Sequence, residues 1–153
     1  MNDFQMYELE KKDALTKLQE LRVGNYVSNK GLKIPRLGIE GVDYMQITAN
    51  GIVKMYEGIL ILNLIPITEE WLLKFGFEIK EHKNGNELTL EFNYIDGYRD
   101  ILSATNKGSK EDPLFIWMLK SNYEKCFVLP FKYKNVNQIQ NLYYALTGKE
   151  LTI

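Results

Sequence analysis

The residues able to carry chemistry are few, and their spacing argues against most reactions. The chain has one histidine, His82, and one cysteine, Cys126. Nucleophilic catalysis needs a base held beside a thiol or hydroxyl, and no local signature sets such a pair here. His82 stands beside the turn-forming run Lys83-Asn84-Gly85-Asn86, where a solvated imidazole is expected. Cys126 lies in the apolar run KCFVLPF, where a thiol packs as a small buried hydrophobe. Asp96, Asp100 and Asp112 fall in separate turn-like stretches rather than at calcium-loop spacing. Glu69 and Glu70 open a helix, where a favourable interaction with the helix dipole accounts for them. Glycines are frequent in the first half, but they follow neither GxGxxG nor GxxxxGK[ST]. The expectation is no catalytic residue, no metal site and no cofactor.

Binding chemistry has more residue support. Tyr94, Tyr98 and Arg99 gather round the Asp96-Gly97 turn, and Phe131-Lys132-Tyr133-Lys134 alternates rings with cations. Exposed rings stack bases while lysine and arginine follow phosphates. Tyr94, Tyr98, Arg99, Lys132, Tyr133 and Lys134 are therefore the candidate contact residues for nucleic acid or a protein partner. A strand ending at Phe131 and Tyr133, with its lysines facing water, explains the same alternation. The chain carries 19 Lys+Arg against 20 Asp+Glu, a net charge of −1, so no global field draws a polyanion. Ten tyrosines suit a wet sheet edge or a contact surface. A protein partner is favoured, with nucleic acid as the alternative.

Composition is that of a soluble globular chain, 45% hydrophobic and 25% charged. The most apolar run, Gly58 to Ile67, is interrupted by Asn63 and Pro66 and is too short to span a bilayer. The opening MNDFQMYELEKKD lacks a signal-peptide core. One cysteine cannot close an internal disulfide, which fits a reduced, cytoplasmic setting.

These residues need elements to position them. The pattern predicts an N-terminal helix over residues 1–20, with Phe4, Tyr7, Ala14, Leu18 and Leu21 along one face. That face could lie on the domain or pair with a second copy as a homodimer. Residues 21–65 then read as a small curved or SH3-like β-unit. It would have a kink at Gly24-Asn25, an Asn50-Gly51 hairpin, and strands near 34–40, 43–49, 52–56 and 59–64. Thr68 and Gly76 bracket a short linking helix. Residues 66–153 hold an antiparallel sheet, with strands expected near 77–82, 87–94, 98–104, 114–119 and 125–131. The last two are the most apolar and are expected at the sheet centre. Residues 105–113 read as an exposed loop. A C-terminal helix from Val136 to Thr147 would cover the sheet. The fold class is α+β, in one compact domain or two.

Three segments carry a family resemblance. LRVGNYV (21–27), PITEEWLLKFGF (66–77) and NQIQNLYYALTGKEL (137–151) resemble motifs of small uncharacterised proteins of phages, prophages and anaerobic gut bacteria. The middle motif departs at one residue, and residues 2–20 are additional to the pattern. The resemblance implies a phage or mobile-element context and supplies no site residue. LRVGNYV is also similar to the first strand of SH3-like barrels. The combined expectation is a non-catalytic binding or adaptor protein.

Overall fold

A computed structural model describes residues 20–28, 43–56, 63–82, 85–93, 99–109, 113–121, 126–130 and 132–153. The expected N-terminal helix, the strand near 34–40, most of the strand near 59–64, and Tyr94 and Tyr98 lie outside the described residues. The fold is α+β, with a five-stranded antiparallel sheet, a small two-stranded sheet and a C-terminal helix. The chain divides into two compact units, residues 1–65 with 135–141 and residues 66–134 with 142–153.

In the first unit, Gly24 takes φ 92°, a left-handed conformation that glycine adopts without a Cβ penalty. The expected kink is there. The Asn25 N–H donates to the Arg22 carbonyl at 3.0 Å, and Asn25 Oδ1 accepts from the Arg22 N–H at 2.7 Å. Strand β1 (Tyr26–Val27) then pairs antiparallel with β2 (Met45–Gln46), with Tyr26 level with Gln46.

Residues 52–56 are not a strand, and Asn50-Gly51 is not a hairpin turn. Both belong to helix α1 (Ala49–Tyr56). The competing signal was Thr48, whose hydroxyl accepts from the Gly51 N–H at 3.1 Å and caps the helix. Ile47 and Ile52, on either side of that cap, join the core of Leu21, Val27 and Leu64, as a hydrophobic staple would.

Strands of two residues cannot satisfy their own backbone, and side-chain amides complete the task. Helix α3 (Val136–Thr147) contributes residues 136–141 to this unit. Asn137, Gln140 and Asn141 stand at i, i+3 and i+4, on one helix face. Gln140 accepts from the Tyr26 N–H at 2.8 Å and donates to the Gly24 carbonyl at 3.3 Å. Asn141 and Asn137 both donate to the Glu20 carbonyl, at 2.8 and 3.2 Å.

The second unit opens on α2 (Glu69–Lys74). The Thr68 hydroxyl accepts from the Trp71 N–H at 3.3 Å. At the other end Gly76, at φ 85°, donates to the Leu73 carbonyl, and Phe77 donates to that of Leu72. That pair of bonds is a Schellman cap. Strands β3 (Glu78–His82), β4 (Gly85–Asn93), β5 (Arg99–Asn106), β6 (Phe115–Ser121) and β7 (Cys126–Val128) follow in a meander, each paired with its chain neighbour. Thr105 and Asn106 extend β5 rather than opening the loop, and the Asn106 carboxamide accepts from the Gly108 and Leu114 N–H groups.

Meander order corrects one expectation. The two most apolar strands do pair, but β7 is the sheet edge and β5 its centre. Cys126 is accordingly exposed rather than buried. A hydrophobic run distinguishes strand from loop, and a terminal strand with one neighbour stays open however apolar it is.

Candidate interaction surface of the sheet

Registers assign each side chain to a face, because level partners share a face and neighbours alternate. One face carries Leu88, Phe92, Leu102, Ala104, Phe115 and Trp117, all buried. Trp117 is the hub, with the Phe77, Phe115 and Tyr133 rings at 6.2, 6.0 and 5.9 Å. Ala104 stands level with Trp117 and leaves room for the indole. Tyr143, on the last turns of α3, meets Phe92 edge-on at 5.9 Å.

The opposite face is divided. Its β3–β4 side is charged. Glu87 is buried, and its carboxylate pairs closely with the Lys120 ammonium and, at 3.2 Å, with the His82 imidazole. Burial alone would raise the pKa of this carboxyl. Lys120 and His82 outweigh that and hold it below the ordinary value. The buried Ser103 hydroxyl adds to the same effect without meeting hydrogen-bond geometry.

The pair with Lys120 also reports sheet shape. Through the registers, Lys120 is level with Ile101 and Ile101 with Glu91, four residues from Glu87. On a flat sheet the Glu87 and Lys120 Cα atoms would lie roughly 17 Å apart, a few ångströms beyond what the two side chains span. The pair closes because a twisted sheet is concave along one diagonal of each face. Lys80 reaches Glu91, at 3.6 Å, along the same diagonal.

Apart from Lys120, the β6–β7 side of this face is apolar and open. Leu114, Ile116 and Val128 are 43, 39 and 64% exposed, with half-buried Met118 between Ile116 and Val128. The sequence signal for it was the unbroken run Leu114 to Leu119, which reads as a strand covered on both faces. The structure covers one face and leaves half of the other to solvent.

The sequence-predicted contact residues separate here. Tyr133 is half-buried with its ring against Trp117, and burial raises its pKa. Lys132 and Lys134 flank it and are exposed. Arg99, also exposed, begins β5 level with Asn93, on the face away from Trp117. Five residues of strand, about 17 Å, separate it from Ala104, the residue level with Trp117. The structure thus keeps Lys132, Tyr133 and Lys134 together and sets Arg99 apart.

His82 and Cys126 sit on the two outer strands. Four strand spacings, roughly 19 Å of sheet, rule out a thiol–imidazole pair between them. Among the described residues no three His, Cys, Asp or Glu side chains gather to hold a metal ion, and no helix is long and apolar enough to cross a membrane. Comparison with protein-family models, with curated proteins and with solved structures gives no match.

Proposed function

We propose that this protein is a non-catalytic binding or adaptor protein, of phage or mobile-element type, that works through protein contacts. The observation that carries the reading is the divided sheet face. Its charged side is paired internally, while Leu114, Ile116 and Val128 stand exposed around half-buried Met118. An apolar patch rimmed by polar groups is the usual form of a protein-binding surface.

The test is capture of a partner from host or phage lysate by the wild type and by Ile116→Asp. Circular dichroism checks that the variant folds. A partner held by the wild type and lost by the variant supports the reading. Capture of no partner, or equal capture by both proteins, overturns it.

Nucleic-acid binding ranks second, resting on exposed Lys132 and Lys134 beside Tyr133. Its signature would be binding to single- or double-stranded DNA or RNA that weakens steeply between about 50 and 200 mM salt.

A further inference from the structure

We propose that the outer edge of β7 pairs with the same edge of a second copy, joining two five-stranded sheets across a two-fold axis. The inference stands on the edge itself and does not require a foreign partner on the open face.

The Leu129 N–H donates to the Trp117 carbonyl at 2.9 Å, so this level pair is a hydrogen-bonded one. Such pairs alternate along an antiparallel ladder. Phe127, level with Leu119, therefore bonds inward to β6. Cys126 and Val128 send their N–H and C=O groups away from β6. Pro130 has no N–H to offer at the next outward position, so the usable edge is short.

Edges of natural sheets are normally blunted by charge, proline, a bulge or a cover. Between Cys126 and Val128 there is neither charge nor proline. Phe127 and Val128, at 55 and 64%, are the two most exposed large apolar side chains among the described residues.

Three features fit this edge to its own image. An axis through Phe127 sets Cys126 level with Val128 of the second copy. Both present outward groups, so four backbone hydrogen bonds form. The edge is uncharged, so meeting its image brings no like-charge repulsion. Phe127 meets its image in a non-hydrogen-bonded pair, where opposed side chains lie closest and aromatic pairs add stability.

The apolar half of the open face also lies on the β7 side. The axis runs perpendicular to the sheet, so the two apolar halves become neighbours and the two charged halves turn outward. A foreign strand on this edge would adjoin only one apolar half. Three residues bury far less than the ~1,200 Å² of a stable interface, so association should be weak and concentration-dependent.

The experiment is sedimentation equilibrium over rising concentration, joined to cross-linking through Cys126, the one cysteine of the chain. The two thiols would sit diagonally across the axis, roughly 8 Å apart, within reach of a short bis-maleimide. The wild type is expected to associate and to cross-link as a dimer. Val128→Pro deletes one outward N–H without touching the β6–β7 ladder, and should weaken association at least tenfold with the fold intact by circular dichroism. Phe127→Lys and Phe127→Glu should each be monomeric alone and cross-link to one another when mixed, because the axis puts residue 127 opposite itself. A wild type that stays monomeric, a Val128→Pro protein that still dimerises, or no rescue on mixing overturns the proposal. Ile116→Asp should leave the dimer intact, so this outcome is read separately from the capture of a foreign partner.

Discussion

The two units satisfy the backbone groups of their extended segments by opposite means. In the first, β1 and β2 are two residues long, and side-chain amides stand in for the missing ladder. Asn25, Asn137 and Gln140 are fully buried there. In the second, five paired strands satisfy the backbone, and its interior is aromatic round Trp117. The contrast explains why the LRVGNYV and NQIQNLYYALTGKEL segments belong together. One supplies the amides that the other's backbone needs. It also shows that a helix can hold a short extended segment by hydrogen bonds that hydrophobic periodicity does not reveal.

Breaking each unit by its own principle should give the two largest effects. Trp117→Ala empties the aromatic hub and is expected to lower stability by about 4 kcal/mol. Gln140→Ala removes the bonds that Gln140 makes to the Tyr26 N–H and the Gly24 carbonyl, which should cost about 3 kcal/mol. Urea titration read by circular dichroism measures both. Both tryptophans, Trp71 and Trp117, lie in the second unit. Tryptophan fluorescence of Gln140→Ala therefore asks whether that unit unfolds with the first or after it. Coincident transitions mean one cooperative molecule. A Gln140→Ala protein as stable as the wild type would show that the amides do not hold the segment.

The second unit was largely readable from the sequence, and the first was not, for the same physical reason. Turn signals and apolar runs located all five strands of the sheet, and Thr68 and Gly76 marked both ends of α2. In the first unit Asn50-Gly51 resembled a hairpin, but a capping hydroxyl at Thr48 and the staple of Ile47 with Ile52 made a helix. In the sequence Asn137, Gln140 and Asn141 are simply polar positions of the C-terminal helix. Nothing in a polar helix face tells solvent from a backbone it must bind. Sheet order was equally hidden. The apolarity of KCFVLPF argued for burial, and only the pairing order shows it to be an edge. The open half-face escaped notice because an apolar run does not say which of its faces is covered.

A smaller effect tests whether the charged half of the sheet face is held as the geometry implies. Glu87→Gln removes the carboxylate shared by Lys120 and His82 and should cost about 2 kcal/mol at pH 7, by loss of charge-assisted bonds. The sign of its pH dependence follows from the lowered pKa. Folding favours the ionised form, so this stability is present above the ordinary glutamate range and is lost as pH falls through the lowered value. The gap between wild type and Glu87→Gln should narrow as pH falls below about 4.3. A gap that widens below that point would mean that burial, not Lys120, dominates this carboxyl.

The smallest expected effect compares the two units at a single kind of residue. Gly24 and Gly76 have nearly the same positive φ, 92° and 85°, so alanine should meet similar intrinsic strain at each, about 1 kcal/mol. Around Gly76 a Cβ would find nothing within 4 Å, so Gly76→Ala should cost that strain and little more. Gly24 is tied at both backbone groups, its N–H donating to the Ile47 carbonyl at 2.9 Å and its carbonyl accepting from Gln140. Any backbone shift that relieves strain there pulls on the amide contact. Gly24→Ala should therefore cost more than Gly76→Ala, and the excess should largely vanish when both are repeated in a Gln140→Ala background. An excess that persists in that background would place the extra cost in local packing instead of in the contact with α3.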